Sequence, residues 1–91
     1  MNGRARQINS VFFERGELLE FIKAGSCFRR ARDDNAVETA EVTAVFVDLY
    51  GIPHIKFDLS IRRPGRQDYR AGPRMLALKT FCANYDERPG G

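Results

Sequence analysis

The chain has 91 residues, 43% hydrophobic and 30% charged, the mix of one small folded domain rather than of a disordered tail or a multidomain protein. Fifteen Lys and Arg against 12 Asp and Glu give a formal net charge of +3, short of the charge density of a chain built to wrap nucleic acid. No apolar run approaches the ~18–20 residues that a membrane-crossing helix needs.

In chain order, Met1 to Ser10 carries Arg4 and Arg6 with no apolar stretch behind them. It reads as a flexible tail, 1–10, without a secretory signal, so the expected compartment is cytoplasmic. Between 14 and 24, Glu14, Glu17 and Glu20 precede Lys23 and Gly25, the order that a helix dipole and a glycine C-cap favour. The expectation there is a short helix, with an opening strand at 18–22 as the alternative. Cys27 to Arg32 is a strand candidate, and Asp33-Asp34-Asn35 a turn leading into a second strand from Val37.

That second strand keeps period two only in halves. Ala40 and Val42 share one face, and Val45, Val47 and Leu49 join it only if the register slips by one near Thr43–Ala44, as at a β-bulge. Gly51-Ile52-Pro53 ends the run and sets up a hairpin into the next strand. From His54 to Arg62 the alternation is complete: Ile55, Phe57, Leu59 and Ile61 point to a core, and His54, Lys56, Asp58, Ser60 and Arg62 to water. Pro64-Gly65 marks a turn, 74–79 a further strand, and 80–85 a single helical turn. The last residues, 86–91, read as a second flexible tail. The organisation expected is one domain over 11–85, mainly β, forming a small antiparallel barrel or a strongly bent sheet, because closure removes exposed edges.

Residues 27 to 82 resemble a small SH3-like barrel of the kind found in short bacterial proteins. The residues that carry the resemblance are Phe28-Arg29-Arg30, then Asp33-Asp34-Asn35 into Val37-Glu38-Thr39-Ala40, then Gly51 through Phe57 and the late turn. It implies a binding module of the kind that takes proline-rich peptides, methylated ligands or RNA. The chain has no Trp, so the tryptophan of a peptide groove is missing, and no functional residue is carried over.

Charge is unevenly distributed. Residues 33–53 hold Asp33, Asp34, Glu38, Glu41 and Asp48 with no Lys or Arg, whereas 54–79 hold seven basic residues against Asp58 and Asp68. Arg62 to Pro73 is rich in Arg, Pro and Gly, and reads as a long loop of the kind that often carries function. Guanidinium forks match carboxylates and phosphates, and tyrosine stacks on bases. The binding candidates are therefore Arg29, Arg30, Arg32, Lys56, Arg62, Arg63, Arg66, Tyr69, Arg70 and Arg74, with Phe28 a further aromatic contact if the partner is nucleic acid.

Catalysis has no comparable signal. His54 is the only histidine and falls on a polar strand face, and the serines lack any nucleophile motif. Cys27, Cys82 and His54 are too scattered for a metal site, and the two cysteines are expected as free thiols. The sequence thus points to a non-catalytic module without cofactor, small-molecule ligand or membrane. Its partner would be another protein or a second copy of itself, met through the Arg-rich loop at 62–74 and the exposed sheet face, with nucleic acid or the ribosome, bound through the same loop, as the alternative.

Overall fold

The computed structural model describes residues 6–88. Its elements in order are β1 (Arg6–Ile8), β2 (Ser10–Arg15), β3 (Leu18–Lys23), β4 (Cys27–Ala31), β5 (Val37–Val47), β6 (Pro53–Arg62), β7 (Tyr69–Ala77) and α1 (Leu78–Asn84). β1, β4, β5, β6 and β7 make one antiparallel sheet, and β2 pairs with β3 in a separate hairpin. β5 is the spine. β6 runs along one of its edges, while β4 takes the first half of the other edge and β1 the second half. The main sheet is open and not closed into a barrel.

Each turn has a local cause. Asn35 takes a left-handed φ of 66°, and Asp34 Oδ1 accepts the amide hydrogen of Ala36, which reverses the chain between β4 and β5. Asp48 Oδ1 accepts from the amides of Tyr50 and Ile52 at 2.8 and 2.9 Å, folding the β5–β6 connection around itself. The register slip anticipated near 43–44 is present: β5 skips a residue against β6 between Val42 and Ala44, and Thr43 Oγ1 donates to the carbonyl of Lys56. Either side of that bulge, Ala40, Val42 and Val45 all reach the core.

One face of the main sheet is covered and the other is bare. Over the covered face lie the β2–β3 hairpin and α1. Phe81 of α1 packs edge-on against Phe28 of β4 at 5.4 Å and Phe57 of β6 at 5.1 Å, and Tyr85 closes the cluster. Burying side chains of this size contributes ~1.5–3 kcal/mol each. Ile55 and Phe57 are fully buried as the alternation requires, whereas Leu59 and Ile61, further along β6, are only half-buried, Leu59 packing against the edge of the core. The helix has no side-chain N-cap; it is held by packing and by Arg15 of β2, whose Nη1 donates to the Cys82 carbonyl at 2.8 Å.

The expected helix at 14–24 is a hairpin instead. Gly16 has a φ of 61° and Glu17 no positive φ, the pattern of a two-residue type II′ turn that joins strands directly. The acids that suggested a helix N-terminus fall on both faces of the hairpin, where Glu20 pairs with Arg15 at 3.1 Å. Part of the segment expected as N-terminal tail is β1, and Glu87 in the expected C-terminal tail bridges to Arg29 on the edge of β4.

Candidate binding face

The Arg-rich segment is shorter as a loop than its composition suggests. Only residues 63–68 connect β6 to β7, and Tyr69, Arg70 and Arg74 are strand residues paired with Ile61, Ser60 and Phe57. Pairing fixes which way each basic side chain points, because directly opposite residues share a face. Arg29, Lys56, Arg62 and Arg70 lie on the bare face. Arg30 and Arg32 follow Phe28 onto the face under the helix, where Arg32 Nη1 bonds Glu38 at 3.1 Å. Arg74 also lies on that face, turned back on the carbonyls of Ala71 and Pro73. Phe28 is fully buried and offers no surface to a base. Tyr69 is exposed on the opposite side from Arg29, beside a hollow of about 440 Å³ that Arg63, Arg66 and Gln67 also line.

The blocks of opposite charge also change meaning. In three dimensions the acidic and basic stretches are neighbouring strands and turns, so much of the contrast is settled internally. Arg62 pairs with Asp68 at 3.1 Å, Arg63 with Asp34 at 3.8 Å, and Arg32 with Glu38. Each carboxyl of Asp34 and Asp68 is held below the usual aspartate range, by the Ala36 amide at Asp34 and by the Arg62 guanidinium at Asp68. The cations left without an acidic partner among the described residues include Arg29, Lys56, Arg66 and Arg70.

Two adjoining depressions cross the bare face of β4 to β7, of about 380 and about 180 Å³. They share Cys27, Thr39 and Ser60 as a floor. Arg29 and Arg62 border the larger, and Arg70 borders the smaller. Arg29 Nε is buried without a hydrogen-bond partner among the described residues. Thr39 and Ser60 lie in one row between Arg29 and Arg70, and in the next row on the same face stand Glu41 and Asp58, directly opposite each other on β5 and β6 and both exposed. Like charges so placed oppose strand pairing. The groove is therefore of mixed sign, with hydroxyls at its base, guanidinium groups on either side and two unpaired carboxylates beside them. It was missed in the sequence because its members come from four strands.

No family model, curated protein or solved structure matches this chain. Its functional reading rests on the geometry of this face. Among the described residues, no group of three or more His, Cys, Asp or Glu side chains is placed to hold a metal, and no helix is long and apolar enough to cross a membrane.

Proposed function

We propose that the protein is a non-catalytic interaction module that binds a protein segment of mixed charge across the bare sheet face, with the Arg-rich 63–68 turn at one end of the site. The observation that carries this reading is the alternation of sign within one groove. Arg29 and Arg70 can take carboxylates from a partner, while Glu41 and Asp58 stand ready for its basic side chains. A phosphate backbone would gain the same guanidinium contacts but would meet those two carboxylates, and it would find no aromatic stacking platform beside Arg29 and Arg70, since Phe28 is buried and Tyr69 faces away.

The test is selection of displayed random peptides on the wild-type protein, with the Arg29→Ala/Arg70→Ala variant as counter-target. NMR titrations with a selected peptide and with a mixed-sequence single-stranded oligonucleotide follow. Peptides carrying both charge signs should shift amides around Thr39, Glu41, Asp58 and Ser60. The double variant should bind them at least about tenfold more weakly, since one charge-assisted hydrogen bond is worth ~1.5–3 kcal/mol. The proposal fails if no peptide is enriched. It fails equally if the oligonucleotide moves those amides with a steep salt dependence that neutralising Arg66 and Arg70 flattens, the outcome for a nucleic-acid binder.

A further inference from the structure

A second surface lies on the β2–β3 hairpin, on the opposite side of the molecule from the groove. Strand pairing puts Ser10 opposite Lys23, Phe12 opposite Phe21 and Glu14 opposite Leu19, all on the hairpin face turned away from the core. Phe12 is 56% exposed, Phe21 38% and Leu19 60%, with the two Phe rings 4.9 Å apart and tilted at 48° to each other. Side chains of this size leave about 300 Å² of apolar surface open to water. Lys23 flanks this patch at the base of the hairpin and Glu14 at its tip; both are exposed, and neither has an ion-pair partner among the described residues. The order along the face is thus cation, aromatic pair, anion.

That order is self-complementary. A two-fold axis through the Phe12–Phe21 pair, in the plane of the face and perpendicular to the strands, exchanges base and tip. It stacks aromatic pair on aromatic pair and brings Lys23 of each copy to Glu14 of the other. Sheets packed face to face lie ~10 Å apart, a gap that a lysine and a glutamate span between them. We infer that the hairpin face is the contact of a two-fold symmetric dimer of this chain, with Lys23–Glu14 pairs at both ends of an aromatic centre. Two such patches bury well under the ~1,200 Å² of a standard stable interface, so the dimer is reversible and forms at high protein concentration. An anionic lipid surface is a poorer occupant, because Glu14 and Glu17 both stand exposed near the hairpin tip.

Sedimentation velocity over a wide concentration range tests this independently of the groove. The wild type should sediment faster as concentration rises, and Phe12→Ser should abolish that rise while its melting temperature shows that the fold is kept. Lys23→Glu and Glu14→Lys should each be monomeric, because each creates like-charge contacts at both ends. An equimolar mixture of these two variants should dimerise again, because both contacts between unlike copies are then of opposite sign. A wild type that stays monomeric up to its solubility limit overturns the proposal, as does a mixture no more associated than either variant alone.

Discussion

Glu38 and Tyr85 make a bond that a double-mutant cycle can isolate. Glu38 is 6% exposed on β5, and its Oε1 accepts the Tyr85 hydroxyl at 3.0 Å while Oε2 accepts Arg32 Nη1 at 3.1 Å. The Arg32 side chain is more than a third exposed, so that pair is screened and contributes under ~1 kcal/mol. The Tyr85 bond is buried and its acceptor is charged, which puts it at ~1.5–3 kcal/mol. Tyr85→Phe should cost that amount. Glu38→Ala should cost slightly more, about 2–4 kcal/mol, because it also releases Arg32. The double variant should fall short of the sum by ~1.5–3 kcal/mol, since either change alone already breaks the bond. Urea unfolding monitored by circular dichroism reads all three values against a total of ~5–14 kcal/mol for a domain of this size. Additivity within ~0.5 kcal/mol would show that the bond does not couple the two residues.

The same pair has a pH signature. Burial first, and then the bond to Glu38, push the Tyr85 hydroxyl from its ordinary 10.0 up to about 12. The folded protein keeps a proton that the unfolded chain releases. Its stability is therefore intact below pH 10 and declines as the pH rises towards 12, and Tyr85→Phe should remove this part of the decline. An equal decline in wild type and variant would refute the assignment.

Other consequences can be measured on the same preparations. Phe57→Ala, which removes a ring held against both Phe81 and Tyr85, should cost ~3–5 kcal/mol in the same urea assay; a melting curve like that of wild type would mean that the β6 register is wrong. The Cys82 thiol is buried in the core and pushed up to about 11 mainly by burial, whereas Cys27 is only half-buried at the groove floor. A thiol reagent followed by mass spectrometry should therefore modify Cys27 first and Cys82 only on unfolding. A ligand seated in the groove should slow the Cys27 reaction and leave Cys82 unchanged.

What was legible in the sequence was what neighbouring residues decide between them. The alternation from Ile55 to Ile61 defined β6 because each residue constrains the next. The parity switch from Val42 to Val45 exposed the bulge for the same reason. The 14–24 segment misled because acids before a lysine and a glycine satisfy helix rules, although Gly16-Glu17 between two apolar hexamers is also a hairpin signal. Parity could also have divided the basic candidates, since consecutive strand residues face opposite ways and Arg29 and Arg30 therefore cannot serve one surface. What no local rule reveals is which strands lie side by side. Glu38 and Tyr85 meet across 47 positions, and the groove gathers Arg29, Glu41, Asp58 and Arg70 from four strands.

The sharing of one β5 edge by β4 and β1 also sets an order of assembly. β4, β5, β6 and β7 form a meander of sequence neighbours joined by turns of a few residues, and such contacts close early and cheaply. β1 must instead wait for Val45 to Val47, nearly forty positions further along, and the β2–β3 hairpin lies inside the loop that this pairing closes. Until the hairpin itself docks on β5 and α1, it is an apolar ribbon with Val11, Phe13 and Ile22 bare on one side and Phe12 and Phe21 on the other. By this order β1 is the last strand of the main sheet to be placed, and the hairpin just behind it is where a slow-folding copy would aggregate first.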